Sequence, residues 1–294
     1  MACTKLDDLP VAVTGSDNGT VRVWNMTTGS PIGRVLTGHT GRVSAVSCAL
    51  LDGNPIAVTS SGFGNGTVRV WDLATGAPLG EPLIDHTGLV MTLACTVIDG
   101  IPVAVTGSGD GSVRVWDLLK RAPFGIPMTG HKGRVTAVAC TVIDGTPVAV
   151  TGSGDGSVRV WDLLKRAPFG IPMTGHKGRV TAVACTVIDG TPVAVTGSDG
   201  FLDNTVRLWN LNTGRPVGQP FTEHTKRVTA VACSIVDGRP FAFTASDDRT
   251  VRVRNLLSGK STALLVSDYP RAVAVNCEGD FVLGFGRDVA VFGL

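Results

Sequence analysis

No apolar run in the chain approaches the ~18 residues that a membrane-crossing helix requires; short apolar stretches are broken instead by glycine and aspartate. Charge is equally sparse. Only 17% of residues are charged, and a net charge of +2 is too small to make nucleic acid or another polyanion an expected partner. The opening MACTKLDDLP has neither a basic region leading into an apolar stretch nor a lipidation signal, so the expected location is cytoplasmic and no membrane association is expected. Cysteine occurs seven times but never as Cys-x-x-Cys, and spacings of 44 to 48 residues give no metal or disulfide framework. The odd count fits a reducing compartment. No cofactor motif is present: the GSGDG segments lie between two strands, not before a helix, and read as hairpin turns rather than phosphate cradles.

What the chain has in quantity is repetition. Its 294 residues exceed a usual single core, yet nothing reads as a linker, so either two domains or one repetitive domain fits. Residues 102–153 and 147–198 are identical, and weaker copies extend to both ends. Trp24, Trp71, Trp116, Trp161 and Trp209 keep the period, as do Cys3, Cys48, Cys95, Cys140, Cys185, Cys233 and Cys277. One cysteine per copy gives seven copies, and residues 1–294 are expected to form one repeat domain. The cysteines themselves read as small core residues on the innermost strands.

Each copy holds four short apolar stretches, at residues 135–140, 148–151, 158–161 and 169–173 in the fourth copy. Call these strands a, b, c and d. Asp144-Gly145 separates a from b and Asp155-Gly156 separates b from c, dipeptides that accept the positive φ of tight hairpins. The unit is therefore an antiparallel four-stranded meander. Such a sheet cannot bury both faces alone, and seven of them stacked in a closed ring give an all-β, seven-bladed β-propeller.

The phrases TGH and VAVTGSGDGSVRVWD resemble the WD40 repeat, over essentially the whole chain. That resemblance implies, in each complete blade, a hydrogen-bonded set of four residues: a histidine from the d–a loop, a Ser or Thr on b, an aspartate in the b–c turn and the tryptophan of c. Carried over by position, the sets are His86, Thr106, Asp110 and Trp116; His131, Thr151, Asp155 and Trp161; and His176, Thr196, Asp203 and Trp209. In a meander the d–a and b–c connections lie at the same end, here termed the top, so histidine and aspartate can meet. The same residue types make a hydrolase triad. However, His39, His86, His131, His176 and His224, all five histidines, occupy this one repeating position, which predicts a structural network and leaves none for catalysis. The repeated arginine two residues before each tryptophan position (Arg22, Arg69, Arg114, Arg159, Arg207, Arg252) reads as an aliphatic stem packed between blades.

Positions that depart from the repeat carry the information about partners. Blade two widens its b–c turn to SGFGNG, with Phe63, and blade five widens it to SDGFLDN, with Phe201 and Leu202. Either these contact a partner or they tuck over their own blades. Around the same end the d–a loops carry Arg42, Arg134, Arg179 and Arg227 among other cations, facing aspartates of the b–c turns. A rim of mixed sign suits a peptide or protein surface, or is simply solvated. The expected function is a non-enzymatic binding platform for a protein or peptide of unknown identity. TGxPxG and VDGRP look like WD40 arrays of bacterial type, which raises the alternative of a detached sensor segment whose NTPase, kinase or protease effector lies elsewhere. An enzymatic or ligand-binding propeller is disfavoured, because the a strands offer mainly Val, Ala, Thr and Cys to a central channel.

Two departures concern the ring itself. Arg254 stands at the sixth tryptophan position, and blade seven has stretches at 272–277, 281–285 and 288–292 without a fourth. MACT aligns with the end of a strand a, so the N-terminal segment does not supply the missing strand. The expectation is either roughly 15 to 20 further residues upstream, or a three-stranded blade whose exposed edge at Val289 and Val291 favours self-association.

Overall fold

In the fourth repeat, alternating β-branched residues form strands Val135–Ile143, Thr146–Ser153, Val158–Asp162 and Ala167–Pro168, paired antiparallel in chain order. Asp144 and Gly145 both take positive φ (46° and 78°), the geometry of a two-residue hairpin that preserves strand twist. The b–c turn is different. Only Gly156 of its dipeptide has positive φ (81°), while the Asp155 carboxylate accepts the Ser157 N–H at 2.8 Å. The aspartate therefore shapes the turn through its side chain and not through a left-handed backbone.

The computed structural model describes residues 1–62, 66–200, 203–275, 281–285 and 288–292. Among these, seven sheets follow one another, six of four strands and a last one of three, Pro270–Val275, Phe281–Phe285 and Asp288–Phe292. The fold is an all-β seven-bladed propeller, closed where Val282 and Val289 of blade seven pack with Ala12, Met26 and Trp24 of blade one.

The outer strand departs from the expected residues 169–173. It begins earlier, at Ala167 and Pro168, breaks at Gly170 (φ 75°), and returns as a single bridge in which Met173 and Val158 exchange two hydrogen bonds of 2.8 and 2.9 Å. Pro168 and Pro172 lack the N–H needed for a continuous ladder.

Apolar burial lies between blades rather than within them. Val148 and Val150 of blade four pack with Val180, Ala194 and Trp209 of blade five, and the same interlock recurs around the ring. A hydroxyl latch fixes neighbours in register: Ser44 donates to the Val90 carbonyl (2.5 Å), Thr136 to that of Val180, Thr181 to that of Val228 (2.6 Å) and Thr229 to that of Pro270 (2.6 Å). Cys48, Cys95, Cys140, Cys185 and Cys233 pack against these interfaces, and Cys277 lies outside the described residues.

Candidate functional site

The top of the propeller gathers the d–a loops and the b–c turns, and its polar core is built from the same parts in each complete blade. In blade four Trp161 Nε1–H donates to Thr151 Oγ1 at 2.7 Å, and His131 Nε2 lies 2.7 Å from the same oxygen. The Ser157 hydroxyl gives its hydrogen to Asp155, so its oxygen accepts from His131 Nδ1–H and leaves Nε2 to accept from the Thr151 hydroxyl, the neutral Nδ1–H tautomer. That hydrogen points toward Ser157 Oγ, 3.1 Å away, with Asp155 Oδ2 at 3.6 Å. Asp155 in turn accepts from Ser157 Oγ (2.6 Å) and from the Lys132 backbone N–H (2.7 Å), so it ties the d–a loop to the b–c turn.

The structure brings the other two sets together with one variation. In blade three Trp116 and His86 both meet Thr106 (2.8 and 2.7 Å), and Asp110 again stands 3.6 Å from the histidine, with Ser112 nearer at 3.4 Å. In blade five the histidine reaches its carboxylate directly: His176 Nδ1 is 3.1 Å from Asp203, while Nε2 and Trp209 meet Thr196 at 2.8 Å. His224 and Asp248 are likewise in contact, at 2.9 Å. Sequence reasoning alone does not single out the hydroxyl two residues after the aspartate (Ser112, Ser157, Thr205, Thr250), although the recurring Asp-x-Ser/Thr spacing carries the signal.

Burial governs the charge state of this network. It lowers His39, His86 and His131 to about 4 and depresses His176 and His224, despite the carboxylates beside four of the five rings. The imidazoles are neutral at pH 7. Burial would raise Asp110 and Asp155, but hydrogen bonds from Ser112 and Ser157, with the neighbouring histidines, bring both down to about 2. The His86, His131 and His176 side chains are fully enclosed, so a ligand on the surface does not reach their ring nitrogens.

Blades six and seven replace the tryptophan in different ways. Arg254 lies over the Phe221 ring at 4.0 Å and pairs with Glu223, beside a water-sized gap bordered by His224 and Thr244. In blade seven Val266, Leu283 and Phe292 occupy the positions of histidine, threonine and tryptophan, and Phe292 stacks on Phe281 at 5.1 Å. An apolar set thus stands in for the polar one, a swap that leaves no buried donor unpaired.

On the surface of the same end, the arginines are tied to aspartates. Arg42 pairs with Asp17 of the preceding blade (3.0 Å), Arg179 and Arg227 converge on Asp199 (2.6 and 3.7 Å), and Arg271 meets Asp247 (3.3 Å). Arg134 is exposed at the equivalent position, and its carbonyl accepts from Gly154. Phe63, Phe201 and Leu202 lie outside the described residues. At the opposite end the sequence reading misses a ring: Leu50, Val97, Val142, Val187 and Ile235, one per blade near the foot of strand a, are 42–60% exposed. Lys5 takes this place in blade one.

Burial pushes the cysteine thiols up, Cys3 to about 11 and Cys95 and Cys233 to about 12, so they are poor nucleophiles. Among the described residues no group of three or more His, Cys, Asp or Glu side chains is placed to hold a metal ion. No helix among them is long and apolar enough to cross a membrane.

Seven radial sheets, four of them carrying a His–Thr–Trp network, define a repeat propeller of the kind that generally serves protein interaction. The family described as WD domain, G-beta repeat (WD40) matches residues 2–25, 30–72, 79–117, 125–162, 170–210 and 214–255, and the chain belongs to this family. A search of curated proteins found no match.

Proposed function

We propose that the chain is a non-enzymatic scaffold that binds a protein or peptide through its top face. The observation that carries this reading is the contrast at that end between residues shared by the blades and residues that are not. His86, His131 and His176, with their threonine, aspartate and tryptophan partners, are committed to internal hydrogen bonds and serve as the frame. In sequence, the widened turns with Phe63, Phe201 and Leu202 differ from blade to blade, and at the same end Arg42, Arg134, Arg179 and Arg227 alternate with carboxylates. Apolar and charged residues contributed by the same set of connections match the composition of protein-binding patches. Six half-buried free thiols among the described residues suit a reducing, cytoplasmic setting. The phrases resembling bacterial arrays support a second reading, in which the propeller is a sensor segment for an effector on another polypeptide.

The test is a pull-down from host lysate with the intact chain and with a Phe63→Ser, Phe201→Ser, Leu202→Ser variant of unchanged circular dichroism. Proteins held by the first and released by the second are expected; identical retention by both would move the binding surface elsewhere.

A further inference from the structure

Among the described residues blade seven has three strands, and the other blades show what a fourth position requires. In blades three to five the residue at the start of strand c exchanges two hydrogen bonds with an outer-strand residue: Val113 with Met128, Val158 with Met173 and Val206 with Phe221. Two residues on, Val115, Val160 and Leu208 each accept an N–H from the same outer segment. In the register of Asp288–Phe292 these places belong to Val289 and Val291, whose main-chain groups therefore face the open edge.

The outer strands also cover the next blade's tryptophan. Leu83 packs in one cluster with Trp116, Met128 with Trp161 and Met173 with Trp209, and those tryptophans are at most 1% exposed. Trp24, which faces blade seven, is only half-buried. Its Nε1–H reaches Thr14 Oγ1 at 2.8 Å, yet no histidine stands beside that threonine, since all five belong to blades two to six. On the side toward blade six a groove of about 800 Å³ runs along the gap, lined by Phe241, Val253, Leu264, Phe281 and Phe292. Arg239 and Lys260 border it, and no carboxylate is among its described lining residues.

We propose that an extended segment of a partner polypeptide adds to the Val289–Val291 edge as the fourth strand of blade seven, seating an apolar side chain against Trp24 and a carboxylate toward Arg239 and Lys260. This goes beyond the top-face reading, because the edge lies on the outer rim. A folded second copy fits less well. The open edge sits one strand spacing, about 4.8 Å, inside the four-stranded blades on either side, and two edges recessed in this way cannot meet before their flanking strands collide. A single extended chain is one strand wide, matches the recess and gains main-chain hydrogen bonds along its length.

The probe is a synthetic peptide copying residues 77–88 (APLGEPLIDHTG), the chain's own outer segment from blade two, which has apolar residues at Leu79 and Leu83, a carboxylate at Glu81 and a histidine at its end. Titrated into the full chain, it is expected to bind saturably by calorimetry and to shift a tryptophan emission that Trp24→Phe removes. N-methylation at Leu79 and Leu83 of the peptide abolishes binding, and Leu83→Ser or Glu81→Lys in the peptide weakens it at least tenfold. These peptide variants need no altered protein; Val291→Pro in the chain is the complementary test. The proposal is overturned if no saturable binding appears, if N-methylation has no effect, or if sedimentation shows a dimer that Val291→Pro dissolves, which would make a second copy the occupant. None of these results bears on the top-face reading.

Discussion

At the scale of single residues the account rests on threonines whose hydroxyls join two side chains. Thr151 Oγ1 receives the Trp161 N–H and serves His131. Thr151→Val keeps the shape and leaves Trp161 Nε1–H and His131 Nε2 buried without a partner, so urea unfolding is expected to show a loss of about 1 to 3 kcal/mol. The pH response follows from the same network. Histidines lowered from 6.5 to about 4 stay neutral in the folded chain while the unfolded chain takes up protons at pH 6.5 and below. Stability is therefore full above pH 6.5 and is lost as pH falls toward 4; the Asp110 and Asp155 carboxyls, lowered from 3.8 to about 2, add a further loss below that. A melting temperature that is flat from pH 7 to pH 4 would remove the buried-neutral assignment. The residue types of the network are legible in the sequence because they recur at a fixed period. The path from His86 to Asp110 is less so: a separation of 3.6 Å with Ser112 nearer depends on how far each turn reaches, which no spacing encodes.

At the scale of strands, the inner three of each blade follow from β-branched alternation and Asp-Gly turns, and the outer strand does not. Prolines and a left-handed glycine at 170 break it into a pair and a bridge, so an apolar pattern that looks continuous is paired only at its ends. Strand c of blade six shows how one residue reshapes an interface. Arg254 replaces tryptophan, and its guanidinium is held by Glu223 and by the Phe221 ring beside a gap the size of a water molecule. Thr244 and His224 still stand 2.8 Å apart, ready to receive an indole N–H. Arg254→Trp is expected to fill the gap and raise stability by about 0.5 to 2 kcal/mol, read as a higher urea midpoint. A lower midpoint would mean that the ion pair with Glu223 contributes more than the burial it displaces.

At the scale of the whole molecule, blade count and ring closure were legible because each repeat, unable to bury both faces, has to find its neighbours, and seven cysteines count seven repeats. The foot of the channel was not legible. Val142 falls past the apolar stretch read as strand a, at 135–140; the strand runs on to Ile143 at the inner end of its sheet and leaves Val142 and its equivalents exposed. Two ends of the ring thus compete as working surfaces: a rim of paired charges at the top, whose connections differ in sequence between blades, and a repeated aliphatic ring at the bottom. Specific recognition needs residues that differ between blades, which favours the top. Site-specific photo-cross-linking decides between them, with benzoylphenylalanine placed at Arg134 in one preparation and at Val142 in another, each exposed to host lysate. The account predicts discrete protein adducts from position 134 and none from position 142; adducts formed only from position 142 would contradict it.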